Sequence, residues 1–237
     1  MLDDLTRCDV LPLVDAMVLD LLERGEIASP PVDAIALAQG PLGMIVCLDK
    51  EQTQRGRSSR AAGQRHIFLR SEPTEERHQW TVARAIGAHF KPEMLARLGA
   101  EAGQTRVPTG ESLANLFAQR LLAPDCWFRE DARTLDFDVL ALKAKYATAS
   151  HEVLAWRLLD LPDPCIITIL DNGVVYRRRS NAWAAKRALS PAEKKCQQFV
   201  HTRGQPRRVH EKGWSVQGWP VHQAGWKREI LRSVVEE

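Results

Sequence analysis

The sequence predicts an α+β protein. Three observations carry that expectation: helical apolar stripes through Leu161, short β-type runs set between and after them, and Asp171-Asn-Gly173 placed between two apolar segments. Val10 to Arg24 has apolar residues at Val10, Leu13, Val14, Met17, Val18, Leu21 and Leu22, and Gly25 suits its stop. Ser29-Pro30-Pro31 opens a second short helix over Val32–Gln39, and Gly40-Pro41 breaks it. Leu42–Leu48 and His66–Arg70 read as strands. The polar stretch Asp49–Arg65 between them reads as a mobile loop or a hairpin connection.

Further helices are expected over Glu75–His89, over Ser112–Leu122 with Thr109 as candidate cap, and from Asp125 to Arg133. A helix pair follows, Phe137–Tyr146 and His151–Leu161, before Leu161-Pro-Asp-Pro164 breaks the register. Cys165–Leu170 and Val174–Arg178 then flank the Asp-Asn-Gly turn. Beyond Ser180, Trp183, Trp214, Trp219 and Trp226 stand among basic residues without clear periodicity. The expected organisation is a domain over 1–162 and a basic, Trp-containing extension over 163–237 that begins with a β-hairpin.

Bulk properties narrow the function classes. The 237 residues are 44% hydrophobic and 27% charged, an ordinary globular balance. Five scattered cysteines without a C-x-x-C pair argue against a disulfide framework and a cysteine zinc site. The acidic start Met1-Leu-Asp-Asp-Leu is unlike a signal peptide, and no apolar run approaches membrane-spanning length, so a cytoplasmic location and no membrane partner are expected. Residues 176–237 carry 14 Lys/Arg against 5 Asp/Glu, net +9, whereas the first 175 residues carry 19 against 25, net −6. Such a tail suits phosphates or an acidic partner, and equally a solvated surface.

The segment Thr81-Val-Ala-Arg-Ala-Ile-Gly-Ala-His89 and, after it, Glu111-Ser-Leu-Ala-Asn-Leu-Phe-Ala-Gln-Arg-Leu-Leu-Ala-Pro124 carry a resemblance. Earlier stretches agree with it in order: Pro30-Pro-Val-Asp-Ala-Ile-Ala-Leu-Ala, Leu42-Gly-Met-Ile-Val, and Ile67-Phe-Leu-Arg through Glu76-Arg-His-Gln-Trp-Thr-Val-Ala. Over about residues 8–125 the chain resembles the ImmA/IrrE family of zinc metallopeptidase-like proteins, which act in stress responses and mobile-element control. The resemblance implies a zincin-like pair of helices. The first supplies two His ligands and a Glu base from H-E-x-x-H, and the second supplies a Glu as third ligand.

Carried over position by position, Arg84, Ala85 and Ala88 stand at the His, Glu and His positions, and only Glu111 keeps its family letter. Guanidinium does not ligate zinc, and alanine offers neither a ligand nor a base. The implied protein is a catalytically degenerate one with no cofactor, acting through a protein or peptide partner. One expectation follows for the old site: Arg84 replaces the metal as the cation and pairs with Glu111. His89 lies five residues after Arg84, about 140° around the helix where a ligand would stand about 40° away. It joins a site only with helix distortion or with partners such as His78 or Glu111; otherwise it is a structural histidine.

Two readings from other classes stay open. One is an active zinc peptidase with an atypical site built on Glu111, His89 and His78. The other is nucleic-acid binding through the basic C-terminal region. The helix pair has a helix-turn-helix outline, but His151-Glu-Val-Leu-Ala is acidic and apolar where a reading helix needs exposed basic or amide side chains. His201, His210 and His222 lack metal spacing among themselves.

Overall fold

A computed structural model describes residues 7–61, 63–72, 74–99, 112–184 and 188–235. Among them are eight α-helices, a three-stranded sheet and a five-stranded sheet, an α+β architecture. The chain divides into two compact units: residues 1–129 with 145–150, and residues 130–144 with 151–237. Among the described residues, no helix is long and apolar enough to cross a membrane.

In the first unit, helix α1 (Arg7–Arg24) buries Val10, Val14, Met17, Val18, Leu21 and Leu22 along one stripe. Helix α2 (Ala34–Gln39) starts two residues later than expected, because Asp33 is its cap. The Asp33 carboxylate accepts the Ile35 and Ala36 N–H groups at 2.9 and 3.0 Å, satisfying donors that no helical carbonyl can reach.

Strand β1 (Ile45–Leu48) pairs in parallel with β3 (Gln64–Leu69), and β2 (Gly56–Ala61) pairs antiparallel with β3, giving the order β1-β3-β2. The polar stretch after Asp49 is therefore the hairpin alternative: it holds a strand whose side chains are mostly in water, which is why no apolar alternation marked it.

Helix α3 (Glu75–Arg97) runs eight residues past the expected end and passes through Pro92. Proline cannot donate to the carbonyl one turn back, but that carbonyl belongs to exposed Ala88, where water can take the bond. Helix α4 (Leu113–Leu122) is capped by Ser112, whose hydroxyl accepts the Asn115 N–H at 3.2 Å; Thr109, the expected cap, lies outside the described residues. Helix α5 (Asp125–Thr134) follows, its first half in this unit and its second half in the other. Arg120 on α4 is almost wholly buried and donates to Asp15 of α1 at 2.7 Å and to Asp125 at 2.9 Å, so one guanidinium ties three helices.

The second unit contains α6 (Val139–Lys145), α7 (His151–Arg157) with a 3-10 turn over Leu158–Asp160, and the five-stranded sheet. The expected helix Phe137–Tyr146 begins later because Asp136 and Phe137 take positive φ, and Asp138 accepts the Leu140 and Ala141 N–H groups. Strands β4 (Ile166–Asp171) and β5 (Val174–Ser180) form the expected hairpin. Asn172 and Gly173 have φ of 49° and 80°, the two left-handed central residues that a type I′ turn requires.

The remainder of the tail is not loose. Helix α8 (Pro191–Arg203) and strands β6 (Arg207–Glu211), β7 (Trp214–Gln223) and β8 (Trp226–Val235) complete an antiparallel sheet of order β5-β4-β8-β7-β6. Ala192, Cys196 and Val200 of α8 pack with Leu170, Val209, Val216 and Leu231 in one apolar cluster. Gly218 permits this close seating, since a Cβ there would lie 2.7 Å from the Cys196 sulfur and 2.9 Å from Leu231. Trp219 is a core residue, whereas Trp183 is exposed.

Candidate functional site

Helix α3 carries two side-by-side stripes where the resemblance places a metal site. Val82, Ala83, Ile86 and Gly87 are buried. Arg84 and Ala88, one turn apart, are exposed, while Ala85 and His89 are half-buried. Gly87 is the joint with α4: a Cβ would sit 2.8 Å from the Ala114 carbonyl oxygen and 2.9 Å from the Phe117 Cβ. Backbone thus meets backbone, and no larger residue fits without moving a helix.

Strand β2, an edge strand, lies along the same helix. A Cβ on Gly56 would fall 2.2 Å from the Thr81 methyl group. From there β2 advances two residues at a time on the face it shares with Ile67 and Leu69, reaching Arg60, whose cross-strand neighbour is Arg65. Both guanidinium charges act on His89, which lies two helical turns after Thr81.

His89 is the half-buried end of an aromatic row. Its ring is 5.1 Å from Phe90, which is 5.6 Å from Phe117. Its Nδ1 is buried without a hydrogen-bond partner. Burial first, then the charges of Arg65 and Arg60, hold its pKa below the ordinary histidine value, against a weaker opposing pull from Glu93.

His78, the other described candidate, has a partner of its own. His78 Nε2 is engaged 2.9 Å from the Arg70 carbonyl. Glu111 lies outside the described residues, and with it the expected Arg84–Glu111 pair. Among the described residues, no three His, Cys, Asp or Glu side chains are grouped so as to hold a metal ion.

Buried polar groups brace this region. Gln79 of α3 accepts the Ala34 N–H at 2.7 Å and donates to Asp33 at 2.9 Å, locking the start of α2 to the middle of the unit. Glu72, whose side chain is 1% exposed, takes Arg70 at 2.7 Å and Arg77 at 3.0 Å, with Arg55 at 3.9 Å. Burial alone raises this carboxyl, but the hydrogen bonds from Arg77 and Arg70 and their charges prevail, so it stays below the usual carboxylate range.

Two groupings in the second unit escaped the sequence reading. His201 Nδ1 and His222 Nε2 converge on the same oxygen of fully buried Glu229, at 2.8 and 3.1 Å, and the other Glu229 oxygen has no partner. His222 and Glu229 straddle the turn at Gly225, so hairpin geometry joins them, but His201 comes from α8. No local spacing announces such a set. The second grouping lies on edge strand β5, where Tyr176, Arg177 and Arg179 are exposed. Arg177 lies over the Tyr176 ring and Arg179 over Trp156.

No known family profile matches the chain, and no curated protein matches it in sequence. Among solved structures, it is similar to a Mycobacterium tuberculosis transcriptional regulator, with a TM-score of 0.68 and 16% identity, over 94% of this chain and 76% of that one. At that identity the likeness is one of fold.

Proposed function

We propose that this chain is a catalytically degenerate ImmA/IrrE-type protein that binds an extended protein segment beside α3 and serves regulation rather than hydrolysis. One observation carries the reading: the stripe of α3 next to the Gly87 joint presents Arg84 and Ala88 at the ligand positions and Ala85 at the base position. None of these side chains can hold zinc or activate water. The helix pair that a zincin uses to build its site is nonetheless packed backbone to backbone, and an edge strand lies alongside, where extended peptides add to a sheet. The similar fold belongs to a transcriptional regulator, which supports a regulatory role; stress response or mobile-element control is the setting that the family resemblance adds.

Metal content decides between this reading and an atypical active peptidase. Protein purified without chelator is expected to carry far less than one zinc per chain by plasma mass spectrometry. About one equivalent, together with chelator-sensitive cleavage of a protein substrate, overturns the proposal.

A second reading, nucleic-acid binding by the second unit, rests on the exposed Tyr176, Arg177 and Arg179 of β5 and on the +9 charge of residues 176–237. Exposed arginines beside aromatic rings suit single-stranded nucleic acid. Because β4 pairs with β8, deleting the tail would dismantle the sheet. The sharper test is therefore the Arg177→Glu/Arg179→Glu variant in salt-dependent oligonucleotide binding, with unchanged weak binding removing this reading.

A further inference from the structure

The β2–β3 hairpin is arginine-rich, and its arginines differ in what they meet. Arg55 and Arg70 share the buried carboxylate of Glu72. Arg57, on the other face of the sheet, lies 4.8 Å above the Phe68 ring. Arg60 and Arg65 have neither a carboxylate nor an aromatic partner among the described residues, and they stand directly opposite each other across the strands. Like charges so placed repel, and such a pair weakens a hairpin unless an anion joins it.

Among the described residues, none supplies that anion. Arg65 Nε is buried without a hydrogen bond, as is His89 Nδ1. The carboxylate that acts on His89, Glu93, is engaged with Arg97 at 2.6 Å. Five of the six β2 residues are exposed, and β2 is an edge of its sheet, with no strand among the described residues pairing to its outer side.

We infer that β2 takes up an extended peptide bearing carboxylate side chains, its backbone adding as a fourth strand and its carboxylates seated between Arg60 and Arg65 beside His89. This rests on the reading of the α3 region as a binding scaffold and specifies the partner: an acidic segment. Strand addition supplies affinity through main-chain hydrogen bonds, and charges at alternate positions supply selectivity. Arginines on an edge strand also discourage self-association, but that role is served by any exposed charge and does not require two arginines face to face.

Fluorescence anisotropy with the full chain tests this, using a labelled peptide of about ten residues that alternates Glu with Val and Thr. Its Gln counterpart, a version N-methylated at alternate amides, and the Arg60→Glu/Arg65→Glu variant with the original peptide are each expected to bind about tenfold more weakly or less. If that variant misfolds by circular dichroism, the Glu-versus-Gln comparison on the native chain still decides. Equal binding of the Glu and Gln peptides, both lost on N-methylation, overturns the acidic partner and leaves the binding scaffold standing. No binding of any peptide overturns both. Tighter binding of an oligo-dT strand at Arg60 and Arg65, or complete competition by equimolar inorganic phosphate, also overturns the peptide assignment.

Discussion

Glu193 receives both terminal nitrogens of Arg178, at 2.7 and 3.1 Å, with its own side chain fully buried and that of Arg178 7% exposed. The same carboxylate accepts the Ser190 N–H and the Ser233 hydroxyl, each at 2.7 Å, so it caps α8 while joining it to β5 and β8. Burial raises its pKa, but the hydrogen bonds from Arg178, Ser233 and Ser190, with the Arg178 charge, prevail and hold it below the usual range. Replacing Glu193 by Gln should cost about 3–5 kcal/mol, because a buried guanidinium loses its counter-charge. Urea unfolding measures this.

The pH dependence of that unfolding has a fixed sign. A depressed carboxyl contributes stability that is fully present above its unfolded pKa and fades as pH falls through the folded value. Glu193 and Glu72 both behave so, and stability should decline below about pH 4. The decline should be shallower in Glu193→Gln; an unchanged acid limb would contradict the assignment.

Gly87→Ala should destabilise the first unit by about 1–3 kcal/mol, because the added methyl meets the Ala114 carbonyl rather than a movable side chain. Helix propensity favours Ala by about 1 kcal/mol, so an exposed Gly→Ala change would have the opposite sign. Thermal unfolding distinguishes the two.

Gln79→Leu should cost about 1–3 kcal/mol, since it leaves the Ala34 N–H without its buried acceptor. Hydrogen exchange should locate the loss at the first turn of α2, and protection there equal to wild type would remove the bracing role.

Thiol labelling should separate the four cysteines whose side chains are described. Cys126 is exposed, whereas Cys165 and Cys196 are buried, and burial pushes the Cys196 thiol up to about 12. Maleimide followed by mass spectrometry should modify Cys126 first and reach Cys165 and Cys196 only in denaturant.

Elements with local punctuation were legible in the sequence. The stripe of α1 ends at Gly25, and Asp171-Asn-Gly173 places the turn of its hairpin, with the strand ends one or two residues off. The α8–β8 region was not, although Ser190-Pro-Ala-Glu193 is a capping box in plain letters. Its helix buries only Ala192, Glu193, Cys196 and Val200, a sparse stripe. Strands β7 and β8 turn Gln217, Glu229, Arg232 and Ser233 inward, which erases the alternation that identifies a half-buried strand. In the candidate site, the identities and helical spacing of Arg84, Ala85 and Ala88 could be read directly. The facing of Arg60 and Arg65 could not, because it depends on cross-strand register.

Helix α3 keeps its joint and its chemistry on different tracks. Ala83 and Gly87 mate with the interior, and Arg84 and Ala88, each one step along, belong to the surface. Whatever is written at 84 and 88 is invisible to the packing, and whatever is written at 83 and 87 is hidden from solvent. Such a helix can be re-lettered for a new task without being rebuilt.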